Sequence, residues 1–191
     1  HPHAAKETAI AFAREQGLRF IDDGESEGVI EGAGTIGHEI ASQLQRIDTV
    51  YIPMGSGSLA SGVATAIREQ HPHAHIVAVQ SSDSPAMVES FHARRALERP
   101  ASSIADGLIC RVPAQLALDA LIRSIDDAIT IPDADLLAAA RAMALRAHLL
   151  VEPSGAAGLA AAMGGNLRGK TVVAIATGTN ITPELLAQLH S

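Results

Sequence analysis

The chain has 191 residues, a formal net charge of −7 and 47% apolar residues, yet only 2% aromatic ones and no Trp. That suffices for one α/β domain whose core is built from Ala, Leu, Ile and Val. The acidic balance and the lack of any Lys/Arg run exclude a nucleic-acid surface. No apolar run approaches the roughly 18–20 residues of a membrane span, so no membrane partner is expected. The single cysteine, Cys110, cannot form an intramolecular disulfide. It reads as a small core residue in a reducing, cytoplasmic setting. The start, His1-Pro2-His3, carries neither a basic-then-apolar leader pattern nor an initiator Met. A chain that begins inside a longer gene product, or after processing, is expected.

The spacing predicts a helix over 4–16 stopped by Gly17, then a strand over 18–21. A glycine turn at Glu31-Gly32-Ala33-Gly34 leads into a helix over 35–46. A buried strand over 49–54 runs into Gly55-Ser56-Gly57-Ser58 and a helix over 59–69. A strand over 75–80 and a helix over 84–97 follow, then a loop over 100–113 carrying Ile104-Ala105-Asp106-Gly107. Next come a helix over 116–125, a strand over 128–131 and a helix from Pro132-Asp133 to His148. Glu152-Pro153-Ser154-Gly155 opens an Ala-rich helix to Met163. A strand over 171–176 ends in Thr177-Gly178-Thr179-Asn180, and Thr182-Pro183-Glu184 caps a last helix. Short apolar strands separated by helices imply an α/β fold, a mainly parallel twisted sheet with helices on both faces in three layers. In such sheets ligands sit at the carboxyl ends of strands. The turns at 55–58 and 177–180 both follow strands and can face one site.

Strand, Gly-Ser-Gly-Ser, helix is a plausible phosphate cradle. Glycines let the backbone approach a ligand and adopt positive φ, consecutive N–H groups form an anion nest, and the helix start adds its dipole. Ser56 and Ser58 add hydroxyls. The same turn also satisfies the dinucleotide fingerprint as Gly55-x-Gly57-x-x-Ala60, although Gln80 and the later Asp83 are poor matches for the ribose-binding acid that fingerprint wants. A purely structural turn is the third reading.

Four segments in order carry a more specific resemblance: Pro53-Met54-Gly55-Ser56-Gly57-Ser58-Leu59, Ile104-Ala105-Asp106-Gly107, Glu152-Pro153-Ser154-Gly155-Ala156-Ala157 and Thr177-Gly178-Thr179-Asn180, with Gly32-Ala33-Gly34-Thr35-Ile36-Gly37 upstream. Together they resemble the fold-type II pyridoxal-phosphate enzymes of the serine/threonine dehydratase and serine racemase group. The resemblance spans essentially the whole chain and implies a tryptophan-synthase-β-like large domain over residues 1–191. It implies that Gly55, Ser56, Gly57, Ser58 and Leu59 match the loop that holds the cofactor phosphate. Thr177 matches the residue facing the pyridine nitrogen, Glu152 a glutamate near the ring, and Gly107 a loop near the reactive end. A hydroxyl at Thr177 in place of a carboxylate makes a weaker electron sink, which suits elimination better than transamination.

The departures matter equally. Ser56 and Ser58 stand where the family often has Gly. Gln80, Ser84 and Ala86 occupy positions of a cation site in several members, so no metal site is expected. The family's Schiff-base lysine belongs to a segment upstream of the part matched here. The only lysines are Lys6, on an amphipathic N-terminal helix, and Lys170, in a surface turn. The large domain is therefore expected to be incomplete, lacking the lysine segment and the small substrate-closing domain. No catalytic residue is expected in this chain.

Other constellations carry less. His71, His73 and His75 alternate across a helix exit and a Pro turn and read as a solvated loop, not a metal site. Ser154 is not in a nucleophile elbow. Asp126-Asp127 reads as a charged turn, and the Ala-rich stretch 137–147 as core packing. The expected function is a portion of a pyridoxal-phosphate-dependent L-threonine or L-serine dehydratase, with a homodimer expected for the parent form. On its own the chain is expected to bind pyridoxal phosphate weakly at most and not to turn over. The alternatives are an NAD-binding oxidoreductase domain, or a non-catalytic binding or dimerisation module.

Overall fold

A computed structural model describes residues 2–189, with side chains from residue 6 onward. The helix α1 (Pro2–Glu15) ends at Gly17, whose φ of +65° stops it as its sequence implies. Residues 18–21 are not a strand. They run as coil with Leu18 and Ile21 about 60% exposed, and no strand pairs with them among the described residues. A single 3₁₀ turn, Asp23–Glu25, leads into α2 (Glu27–Gln43).

The expected glycine turn at 31–34 lies inside α2. Gly34 serves packing, not turning, while a Cβ at Gly32 would meet nothing within 4 Å. The helix crosses α3 (Ser58–Gln70) so closely that a Cβ on Gly62 would lie 2.1 Å from the Ile30 carbonyl oxygen, and one on Gly37 would lie 2.6 Å from that of Val63. Tertiary contact thus overrides the local penalty of glycine in a helix.

Four strands, β1 (Thr49–Pro53), β2 (His75–Ser81), β3 (Asp127–Ile131) and β4 (Val172–Ala174), form one parallel sheet in the order β3-β2-β1-β4. β1 pairs with β2 from Thr49↔His75 to Pro53↔Val79 and with β4 from Thr49↔Val172. The strand expected over 171–176 is trimmed to three residues. Central strands buried on both faces read as continuous apolar runs, which is why β1 and β2 were legible.

One face packs Val50, Ile52, Ile76 and Ala78 against Val63 and Ile67 of α3, against α4 (Ala86–Ala93), and against Leu118 and Leu121 of α5 (Gln115–Ser124). The other packs Tyr51, Val79 and Ile129 against Leu136 and Ala139 of α6 (Asp133–Ala142) and Ala157 and Ala160 of α7 (Ala157–Met163). Alternate strand residues therefore serve opposite helical layers, the three-layer α/β architecture expected. Of the alanine-rich stretch only Ala139, Ala140 and Met143 are core; α6 stops at Ala142 and passes into a π-helical turn, Met143–Ala147, whose Leu145, Arg146 and Ala147 are exposed. The helix expected over 84–97 ends at Ala93, where Arg94 adopts φ +56°. The last helix, α8 (Pro183–Gln188), is capped as read, with Thr182 accepting from the Leu185 N–H at 3.2 Å.

Cys110 is a core residue, and burial pushes its thiol up to about 11. Asp126 accepts from Arg68 and from the Ile76 N–H, both at 2.7 Å, tying the start of β2 to the turn before β3. His71 lies at the end of α3 and His75 opens β2 beside Asp126, so the alternating histidines do separate things.

Gln80 is fully buried at the end of β2. Its Oε1 accepts from the N–H groups of Met87 (3.1 Å) and Val88 (3.2 Å), in the first turn of α4, and its Nε2 donates to the Leu108 carbonyl at 3.2 Å. One amide therefore caps a helix and fastens the 105–108 loop. Gln80→Ala strands three buried backbone groups and opens a void. We expect a loss of about 3 kcal/mol in urea unfolding.

Candidate functional site

The carboxyl ends of the parallel strands point to one edge of the sheet, and the loops there enclose a cleft of about 160 Å³. All eight candidate residues line it: Gly55, Ser56, Gly57, Ser58, Leu59, Gly107, Glu152 and Thr177, with Pro53, Leu108, Ser154 and Asp23. A larger cleft of about 410 Å³ lies against Ala174–Ala176. It is apolar apart from Arg146 and offers no arrangement of polar groups.

The turn after β1 makes the floor. A Cβ on Gly55 would lie 2.2 Å from the Gly107 carbonyl oxygen, so only glycine lets the 55–58 and 105–108 loops meet. Gly57, the residue before α3, has φ +98°, and a Cβ there would press on Met87 and Leu121 at 2.7 and 2.9 Å. Met54 N–H still pairs with Val79, but among the described residues nothing accepts from the N–H groups of Gly55, Ser56, Gly57, Ser58 or Leu59. Five successive donors without an internal acceptor, at the start of a 13-residue helix, form an anion nest. The Ser56 and Ser58 hydroxyls, 3.2 Å apart, stand beside it.

The opposite wall is a clasp between two loops. The Glu152 N–H donates to the Gly178 carbonyl at 3.1 Å, and the Thr177 N–H to that of Gly155 at 3.3 Å. The Gly107 N–H donates to Ser154 Oγ at 3.2 Å, tying the third loop to this wall. The Thr177 hydroxyl has no partner among the described residues. The Glu152 carboxyl is held above its ordinary value of 4.5, first by burial and then by the nearby charge of Asp106. The folded chain thus holds this proton more tightly than the unfolded chain. Stability should fall as pH rises from about 4.5 through the raised value, and Glu152→Gln should remove that loss. Melting curves should show the variant the more stable of the two at about pH 7, with the gap closing near pH 4.

Asp23 was not legible in the sequence as a site residue. Its carboxylate accepts from Ser56 Oγ and from Ser58 Oγ, each at 2.5 Å. These partners lie more than thirty residues away in the chain, and only an acidic turn at Asp22-Asp23-Gly24 marks the spot. Neither Lys6 nor Lys170 lines the cleft, and the Lys6 ammonium is paired with Asp22. Gln80, where a dinucleotide site wants an acid, is wholly engaged in holding α4 and the 105–108 loop. Among the described residues no group of three or more His, Cys, Asp or Glu side chains is placed to hold a metal.

Fold and cleft together define an α/β protein with a row of unpaired main-chain donors at the carboxyl edge of a parallel sheet. The chain belongs to the pyridoxal-phosphate dependent enzyme family, whose model matches residues 1–178. A curated relative, the L-threonine dehydratase catabolic TdcB of Staphylococcus aureus (strain N315), is 34% identical over 176 residues, covering 89% of this chain and 51% of the relative. Among solved structures, the processed form of threonine deaminase isoform 2 from Solanum lycopersicum superposes with a TM-score of 0.88 at 27% identity, over 96% of this chain and 55% of that one. Maize serine racemase superposes with a TM-score of 0.84 at 27% identity, over 96% and 58%. The fold is thus the tryptophan-synthase-β-like one of these enzymes. The chain spans about half the length of the curated relatives it matches.

The family's cofactor fits the residues present. The row of main-chain N–H donors from Gly55 to Leu59 suits its phosphate, and Glu152 and Thr177 line the same cleft.

Proposed function

We propose that this chain is the cofactor-binding large-domain portion of a pyridoxal-phosphate-dependent L-threonine or L-serine dehydratase. Its parent removes the β-hydroxyl and yields a 2-oxo acid and ammonia. The observation that carries the reading is the convergence of Gly55–Leu59, Gly107, Glu152 and Thr177 on one cleft whose floor is a row of unpaired N–H donors. Gly55, Ser56, Gly57, Ser58 and Leu59 hold the phosphate through main-chain N–H groups, with the α3 dipole behind them. Thr177 presents a hydroxyl to the pyridine nitrogen and so leaves that nitrogen without a carboxylate to keep it protonated. Glu152, with its raised carboxyl, lines the ring side, and Gly107 gives the 105–108 loop room to pass close to the reactive end. When bound, the cofactor supplies the electron sink for β-elimination.

No lysine lines the cleft, so the chain by itself supplies no amine for the covalent step, and catalysis belongs to the longer parent. A homodimer in the cytoplasm is the setting the family resemblance implies for that parent. No helix among the described residues is long and apolar enough to cross a membrane. The test is a coupled assay of 2-oxo acid release from L-threonine and L-serine with added pyridoxal phosphate. The isolated chain should give the no-protein rate, and turnover at a rate typical of enzymes, about 1 s⁻¹ or faster, would overturn this assignment.

A further inference from the structure

The nest that suits a phosphate is approached by a carboxylate of the chain's own. Asp23 Oδ2 accepts from Ser56 Oγ and Asp23 Oδ1 from Ser58 Oγ, each at 2.5 Å, and all three residues line the cleft. Each serine hydroxyl has one proton to give. While both go to Asp23, neither is left for a phosphate oxygen. A phosphate dianion seated on the same nest would also stand against the Asp23 charge, a like-charge repulsion felt most at low ionic strength.

The segment that brings Asp23 here is fastened on both sides. Asp22 pairs with Lys6. Gly24 packs so tightly that a Cβ would lie 2.4 Å from that of Ala114, and Glu25 accepts from the Gln115 N–H at 2.9 Å, where α5 begins. Asp23 itself is exposed to solvent, so its side chain can rotate outward without unfastening that strap.

From this geometry we infer that Asp23 is a resident anion of the phosphate cradle, and that a phosphate group enters by exchange with its carboxylate. The inference rests on the reading of Gly55–Leu59 as a phosphate site. Asp23 then sets how readily the cradle accepts a phosphomonoester: the serine hydroxyls pass from carboxylate to phosphate, and the displaced carboxylate turns to water. The row of main-chain donors is untouched by the exchange, since Asp23 engages only the hydroxyls.

The experiment titrates inorganic phosphate, and separately pyridoxal phosphate, into the full chain and two variants at low ionic strength, where charge effects are least screened. Binding is followed by the amide resonances of Gly55, Gly57 and Ser58. Asp23→Asn keeps the side-chain shape and removes the charge. Glu27→Gln removes a nearby charge that lines no part of the cradle. We expect Asp23→Asn to bind inorganic phosphate at least tenfold more tightly than the unaltered chain, and Glu27→Gln to stay within twofold of it. In the unaltered chain the ¹³C resonance of the Asp23 carboxylate should move in step with phosphate saturation, a readout that stands even if the variant does not fold. If phosphate shifts the cradle amides while Asp23→Asn gives no gain and the Asp23 carboxylate resonance stays still, the resident anion is overturned and the phosphate cradle survives. If folded chains, with and without the substitution, show no phosphate binding at these amides, both the cradle and the inference built on it fail.

Discussion

Gly155→Ala is expected to lower the melting temperature by about 10 °C, from a loss of about 3 kcal/mol. A Cβ at this position would lie 1.6 Å from the Thr177 carbonyl oxygen and 2.6 Å from its carbon. No side chain can yield there, because both obstacles are main chain, and the Gly155 carbonyl itself accepts the Thr177 N–H. An added methyl must separate the 152–155 and 177–180 loops. That breaks the clasp and moves the Glu152–Gly178 contact with it. Thermal unfolding by circular dichroism reads the effect, and a shift of under about 2 °C would mean that the two loops are not in contact.

Gly55→Ala is the second large effect, and it falls on binding. Its Cβ would meet the Gly107 carbonyl oxygen at 2.2 Å, so the floor of the cleft and the 105–108 loop must part. Both carry candidate ligand groups, and a nest of N–H donors works only when its geometry is set before the ligand arrives. Affinity for pyridoxal phosphate should fall at least tenfold, about 1.4 kcal/mol, in a variant that remains folded. Fluorescence titration of the cofactor against chain shown to be folded by circular dichroism measures it. Equal affinity in the two chains would place the phosphate elsewhere.

Much of this molecule can be read from its residues, and the failures have physical causes. The strands β1 and β2 are legible because both faces are buried, so apolar residues run without a break. That the eight candidate residues gather at one cleft is legible because each belongs to a short motif at the carboxyl end of a strand or in a loop beside it. The stretch 18–21 is misread because Leu18, Phe20 and Ile21 have strand-forming character, but among the described residues no strand pairs with them. Gly32 and Gly34 are misread as a turn because local rules treat glycine as a breaker, whereas the close crossing of α2 and α3 calls for small residues at Gly34 and Gly37 in the helix interior; Gly32 packs against nothing. The role of Gln80 hides for a related reason: its partners lie on α4 and on the 105–108 loop. Asp23 is the clearest case. Nothing local to an acidic turn says that two serines 33 and 35 positions along will bind it.

The central claim is that this chain carries a seat for a phosphate and a pyridine ring, without the amine that would make it a working active site. Titration of the isotopically labelled chain with pyridoxal phosphate, followed by borohydride reduction and mass analysis, tests both parts together. Amide shifts concentrated at Gly55–Leu59, Gly107 and Thr177 are expected, with no reduced cofactor adduct at Lys6 or Lys170 beyond the level seen in unfolded chain. Shifts confined to other surfaces, or a stoichiometric adduct on either lysine in the folded chain, would contradict it.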